Sequence, residues 1–195
     1  MERKNPQALI AAFTASLATQ PNTYLVLKTN VGGDSPEKRQ LLETISKYPN
    51  ILLIDKQWTR ADILGLIQCS DLYASLHRSE GFGLTLAEAM LLGTPVLTTA
   101  WSGNMDFCTE ENSFLVPAKP IEVNASHPEF NGLEQATWAD ADITIAKKLL
   151  MDIYQDRSLI TAKKACCAQQ MQSCIDHHKY QHALQNLVNL RTNNL

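Results

Sequence analysis

Residues 72–92 read LYASLHRSEGFGLTLAEAMLL, and the architecture follows from this stretch. Leu72–Leu76 is apolar and strand-like. Leu84–Leu92 has helical composition and is stopped by Gly93, with Pro95 beyond it. Between them lies a short loop, His77–Gly83, with two glycines immediately before the helix. A strand, a glycine-containing loop and a helix make half of a βαβ unit.

The same alternation extends in both directions. Upstream, Asn5-Pro6 reads as a helix cap followed by proline at the first helical position, and Ala8, Leu9, Ala12, Phe13 and Leu17 form one apolar face. Strands are predicted at Thr23–Thr29 and Ile51–Ile54. A helix is predicted from Ser35-Pro36 to about Tyr48-Pro49. Another is predicted from Thr59 to about Cys69, opened by a capping box with Asp62 in the usual glutamate position. Downstream, Pro95–Thr99 and Ser113–Val116 complete the strands. Residues 117–138 read as a polar insertion, and residues 139–155, 157–173 and 177–192 as helices. Strands separated by helices of about ten residues predict an α/β domain with a Rossmann-like parallel sheet and helices on both faces. The boundaries are 1–116 for the core, 117–138 for the insertion and 139–195 for a helical C-terminal segment. A doubly wound domain normally opens on a strand, whereas this chain opens on a helix. That predicts a sheet lacking its first strand, as in a piece cut from a longer protein; a domain that simply starts with a helix is the alternative.

Composition excludes several classes of function. With 195 residues, 45% hydrophobic and 19% charged, the chain is long enough for a real core and too apolar for intrinsic disorder. The net charge of -3 is concentrated in residues 117–142, where Glu122, Glu129, Glu134, Asp140 and Asp142 face Lys119 alone. No basic excess exists to neutralise a phosphate backbone, so nucleic acid is excluded as a partner. No apolar run reaches the roughly 18–20 residues of a membrane span. Lys147, Lys148, Lys163 and Lys164 read as a solvated face, so any membrane association is peripheral. The five cysteines are odd in number and irregularly spaced, predicting reduced thiols and a cytoplasmic compartment.

Ligands of open α/β sheets bind at the carboxyl ends of the strands, which directs attention to the loops after Thr29, Ile54, Leu76 and Thr99. The loop after Leu76 carries the most chemistry. Glycines allow close backbone approach, and the first-turn N–H groups of the following helix, at the positive end of its dipole, form a phosphate cradle. The pattern is not the dinucleotide fingerprint G-x-G-x-x-G. Val31-Gly32-Gly33-Asp34 reads as a turn. Glu80 precedes the helix and Glu88 lies on it, so they cannot form a close carboxylate dyad. They suit a long ligand touched at two places; a loop charge and a solvated helix residue are the alternative reading. Cys174, His178 and His182 recur at four-residue spacing, but Asp176 interrupts them and a fourth ligand is lacking, so no metal site is assigned. Cys166-Cys167 reads as helix packing, and Asn104 and Asp106 as either ligand contacts or, for Asn104, a helix cap. Of Trp58, Trp101 and Trp138, only Trp101 falls in a ligand-facing loop.

Glu80 and Glu88 form an E-x7-E motif within SLHRSEGFGLTLAEAMLLGTPV. This string resembles the C-terminal, donor-binding domain of retaining family-4 (group 1) glycosyltransferases of the GT-B fold. The resemblance runs collinearly from Glu2-Arg3-Lys4-Asn5-Pro6 through Leu25–Lys28 and Trp101-Ser102-Gly103-Asn104 to Trp138–Asp142. It implies one half of a GT-B fold, a nucleotide diphosphate sugar as donor, and metal-independent transfer to a glycan or lipid-linked acceptor held by an N-terminal domain absent from this sequence. It further implies that Glu80 binds the transferred sugar and stabilises charge at the reacting carbon. Lys4 would sit against the diphosphate, and Phe82, Gly83 and Leu84 would present backbone N–H groups. His77 would line the sugar and diphosphate pocket, a satisfied loop histidine being the alternative; Glu88 would bind the ribose, and Ile54, Asp55 and Lys56 would bracket the base. The partner arginine that the resemblance implies beside the diphosphate lies upstream in many relatives; Arg3 is either that group or, the favoured reading, a surface residue. A non-catalytic nucleotide-sugar-binding module, or a degenerate fragment of an enzyme, is the alternative function.

Overall fold

The computed structural model describes residues 2–30, 36–123, 132 and 136–175. The turn at 31–34, the cap at Ser35, the helix expected over 177–192 and the His178–His182 spacing lie outside the described residues. Elements run in the order α1 (Pro6–Ser16), β1 (Leu25–Thr29), α2 (Pro36–Ile45), β2 (Ile51–Asp55), α3 (Arg60–Cys69), β3 (Tyr73–Ser75), α4 (Leu84–Leu91) and β4 (Val96–Thr99). They continue with β5 (Ser113–Val116), β6 (Ala118–Glu122), β7 (Thr137–Ala141), α5 (Ile143–Gln155) and α6 (Ser158–Cys174). The chain is α/β, as the alternating pattern predicts.

The parallel strands form two ladders, β1-β2 and β3-β4-β5. No ladder joins them among the described residues. The expected single parallel sheet is therefore found in two parts.

Side-chain alternation along each strand builds two cores. Leu97, Phe114 and Val116 point to one face, where α1 and α5 supply Ile10, Phe13, Ala146 and Leu150. Val96 and Leu115 point to the other, against Leu86 and Met90 of α4 and Cys167 and Met171 of α6. Helices thus cover both faces. All four residues of β4 are buried, the mark of a parallel strand covered on both sides. Cys166 is half-buried, with its thiol directed at Ala162 and Lys163 carbonyls of its own helix and at Glu111.

Local signals locate most element ends. Thr59 and Asp62 close the capping box of α3. Gly93 takes φ 74° after α4, and Thr94 N–H returns to Ala89 O at 2.8 Å, closing the helix. Asn5 departs from its predicted role. It adopts φ 47° and ψ 52°, its side chain makes no cap hydrogen bond, and it is buried. Asparagine tolerates this left-handed conformation. Here it forms the corner between a 3-10 turn at Glu2–Lys4 and α1.

Residues 117–138 are the second correction. Their ends form an antiparallel hairpin, β6 with β7, in the register Ala118↔Ala141 to Glu122↔Thr137. Pro120, which made the stretch read as irregular, is tolerated in a two-stranded ladder with an open edge. Residues 139–141, expected to be helical, belong to β7. Asp142 then caps α5 by accepting from Thr144 N at 2.9 Å and Ile145 N at 3.1 Å.

Candidate functional site

The loop after β3 is tied down from three sides. Arg78 N–H donates to Arg3 O at 2.8 Å, and Ala139 N–H donates to Arg78 O at 2.9 Å. The N-terminal turn and the β6–β7 hairpin are thereby both stitched to the loop. Arg78 also stacks on the Trp138 ring, at 5.8 Å to the centroid. On the third side Thr99 Oγ1 donates to His77 O at 2.8 Å, fixing the loop to the end of β4.

These ties bring two cations onto Glu80. Arg3 donates to Glu80 Oε2 at 2.9 Å and to Ser79 O at 2.8 Å, and Lys4 Nζ pairs with Glu80 Oε1. Arg3, favoured from sequence as a surface residue, is instead paired with Glu80. The sequence left both readings of Arg3 open, and its position beside Glu80 follows from the 3-10 turn and the left-handed Asn5 corner. Burial, and then the neighbouring Arg3 charge, lower the Lys4 ammonium below its usual pKa.

The N-terminus of α4 opens beside this cluster. Gly83 caps the helix at φ 86°, and a Cβ there would meet Leu86 Cδ1 at 3.2 Å. Phe82 and Leu84 are exposed, with the Phe82 ring against Phe107 at 5.0 Å between centroids. The positive end of the helix dipole, Arg3 and Lys4 thus lie together around the Glu80 carboxylate.

Glu88 lies farther along α4. Its Oε1 accepts from Arg60 Nη2 at 2.8 Å, a residue of α3 that the sequence reading did not single out. The Tyr73 phenol is held by Thr85 beside it. Burial raises its pKa, and the Glu88 charge raises it further. At the end of β2, Asp55 accepts from Thr29 Oγ1 at 2.8 Å and pairs with Lys38 Nζ at 2.5 Å. Lys28 donates to Lys56 O at 2.6 Å and lies 5.8 Å from the Trp58 ring centroid. Ile54 and Lys56 thus stand at the carboxyl end of β2.

His77 and Asn104 differ from expectation. His77 is fully buried and lines no open pocket in this structure. Its Nε2 faces Trp101 O at 3.2 Å and Asn104 Oδ1 at 3.1 Å. Two acceptors assign the proton to Nε2, leaving Nδ1 to accept from Ser75 Oγ at 3.2 Å. Burial lowers the imidazole pKa, so the ring is neutral. Asn104, also fully buried, is neither a cap nor a ligand contact: its amide donates to Thr99 O at 3.0 Å. Asp106 is exposed. Buried His77 and Asn104 form the peg that locks the loop after β3 to the loop after β4.

The second loop also presses on the first. Gly103 N–H donates to Glu80 O at 3.4 Å, and a Cβ on Gly103 would fall 1.7 Å from Gly81 O. The arrangement thus sets two cations and one carboxylate beside the N-terminus of α4, with a second carboxylate, Glu88, farther along the same helix. Among the described residues no group of three or more His, Cys, Asp or Glu side chains is placed to hold a metal ion. None of the described helices is long and apolar enough to cross a membrane.

Comparison with known proteins places the family and the fold. The family model described as glycosyl transferases group 1 matches residues 1–127. A curated relative, the N-acetyl-alpha-D-glucosaminyl L-malate synthase of Bacillus anthracis, is 33% identical over 103 residues. The match covers 51% of this chain and 25% of that protein. Anabaena Alr3699/HepE, solved in complex with UDP and glucose, superposes with a TM-score of 0.73 at 16% identity over 97% of this chain and 46% of its own. The C-terminal domain of the group 1 glycosyl transferase LpcC from Francisella tularensis superposes with a TM-score of 0.63 at 21% identity, covering 89% of this chain and 80% of that domain. These superpositions show a shared fold. The match spans about a quarter of the curated relative, and the chain about half of the Anabaena protein.

Proposed function

Because the chain belongs to the group 1 glycosyl transferases, we propose that it forms the donor-binding domain of a retaining hexosyltransferase, holding a nucleoside diphosphate sugar for transfer to a glycan or glycolipid acceptor. The observation that carries this reading is the convergence of Arg3 and Lys4 on Glu80 at the N-terminus of α4. The diphosphate occupies that corner, contacted by Arg3, Lys4 and the N–H groups of Phe82, Gly83 and Leu84. Glu80 turns to the hydroxyls of the transferred sugar. Glu88, steadied by Arg60, accepts from the ribose hydroxyls. Ile54, Asp55 and Lys56 flank the base, and His77 acts from within the fold by holding the loop.

Cleavage of a glycosyl–phosphate bond builds negative charge on the departing diphosphate and positive character on the sugar. Two cations and a helix N-terminus stabilise the first, and a carboxylate faces the second. This charge distribution supports transfer without a metal ion. The acceptor is held by a further domain, in keeping with the half-length coverage of the Anabaena protein, so the residues present here bind donor and turn over poorly alone. The UDP and glucose of the Anabaena complex make uridine diphosphate sugars the first donors to test, with GDP sugars beside them.

The test is a calorimetric titration with UDP, GDP and their hexose conjugates, repeated with Glu88→Ala. Binding of one nucleotide, weakened about tenfold by loss of hydrogen bonds to a charged acceptor, supports the reading. Nucleotide binding indifferent to Glu88→Ala would remove the ribose assignment, and no binding to any nucleotide would remove the donor-site reading.

A further inference from the structure

Ser102 adopts φ 81° and ψ -164°, a region that glycine occupies freely and other residues only under strain. Two other described non-glycine residues have positive φ, Asn5 and Asn22, and asparagine is the residue type that best tolerates it. Serine has no such excuse. A glycine at 102 would hold this backbone at ease, so the side chain is what the position uses.

That side chain brackets Glu80. Glu80 N–H donates to Ser102 Oγ at 3.1 Å, and the Ser102 hydroxyl donates to Glu80 O. One oxygen therefore holds both ends of the Glu80 backbone, using its acceptor and donor capacity at once. Gly103 N–H adds a second donor to the same carbonyl at 3.4 Å. The neighbouring Gly81 is exposed and brings no side chain to the loop. Glu80 thus stands next to a residue with no side chain to anchor it, and the loop after β4 supplies the contacts instead, through Ser102 and through Gly103, which packs on the Gly81 carbonyl. Its carboxylate is aimed by the residue's own φ and ψ, and those are held by Ser102.

We propose that Ser102 is a positioning residue for Glu80, fixing the direction from which that carboxylate meets Arg3, Lys4 and, on the donor-site reading above, the transferred sugar. The strained conformation places the hydroxyl between the two polar groups of one residue, and a relaxed serine backbone would swing it away.

The experiment uses Ser102→Gly and Ser102→Ala. Both remove the hydroxyl, but only glycine also removes the strain, so their thermal midpoints separate with the glycine variant higher. Amide exchange at Glu80, followed by NMR, is expected to accelerate about tenfold in both variants, because the opening of a local hydrogen bond controls it. With UDP-glucose and UDP as probes, the gain in affinity from the glucose is expected to shrink about three- to tenfold in both, the worth of one neutral hydrogen bond. UDP alone is expected to change less than about twofold, since its diphosphate contacts remain. Unchanged Glu80 exchange in both variants would overturn the proposal, as would effects that track the midpoints rather than the hydroxyl. Should the unaltered chain bind neither probe, the donor-site reading fails, while the exchange rate at Glu80 still decides whether Ser102 holds it.

Discussion

Glu80→Gln offers a direct test of the cationic corner. Without ligand, the Arg3 and Lys4 charges are both engaged by the Glu80 carboxylate. An incoming diphosphate competes with that carboxylate for the same cations. Glu80 is mostly buried, with its side chain 10% exposed, whereas Arg3 and Lys4 are 39% and 51% exposed. Solvent therefore screens each pair, and each is worth about 0.2–1 kcal/mol. Releasing both makes about 0.4–2 kcal/mol available to the ligand, a tightening of about 2- to 30-fold. Glu80→Gln should therefore bind UDP or GDP more tightly than the unaltered chain. The corresponding sugar conjugate should gain less, because its hexose loses the carboxylate. The effect is ionic and should fade as salt rises, the screening length falling from about 10 Å at 0.1 M to about 3 Å at 1 M. Isothermal titration at two salt concentrations measures all three quantities. Equal or weaker binding of the nucleoside diphosphate by the variant at low salt would refute the competition, and with it the placement of the diphosphate on Arg3 and Lys4.

Further outcomes follow from individual contacts. Burial holds the His77 imidazole below its ordinary pKa, so the unfolded chain binds the proton more readily. Stability is full above the unfolded value near 6.5 and falls as pH drops below it, with a slope of up to about 1.4 kcal/mol per pH unit. Denaturant melts from pH 7 to 5 should show His77→Gln removing that part of the slope. Gly103→Ala forces a Cβ onto the Gly81 carbonyl and should destabilise by about 1–3 kcal/mol or more, read as a lower urea midpoint together with loss of nucleotide binding. Asp142→Ala strips the cap of α5 and should lower stability by about 1 kcal/mol while leaving nucleotide affinity unchanged, since the cap lies outside the binding corner.

Much of this molecule is legible from local chemistry. The apolar faces of α1 and α4, the capping box at Thr59 and the glycine stop at Gly93 each act within a few residues, and each stands where the pattern puts it. The hairpin of β6 and β7 was hidden because a strand half exposed on its edge carries polar residues and can even carry Pro120. The cap reading of Asn5 failed for a related reason. The same side chain that caps helices also tolerates the left-handed backbone, and only the preceding turn determines which use applies.

The E-x7-E spacing by itself placed Glu80 before a helix and Glu88 upon it, because the rise of an α-helix converts sequence distance into length. It also set the glycines where backbone could approach a ligand. What surrounds those carboxylates came from residues remote in the chain. Arg3 and Lys4 lie 77 and 76 positions from Glu80, Arg60 lies 28 from Glu88, and Ser102 lies 22 beyond Glu80. None of these distances has a period or a propensity attached to it. They are closed by long-range packing, which ties the N-terminal turn and the loop after β4 to the loop after β3 and sets α3 beside α4. The sequence determined which chemistry was present and on which kind of element. The tertiary fold decided which charges meet, which histidine is sealed away from solvent, and which strained serine holds the loop, since these depend on long-range closure.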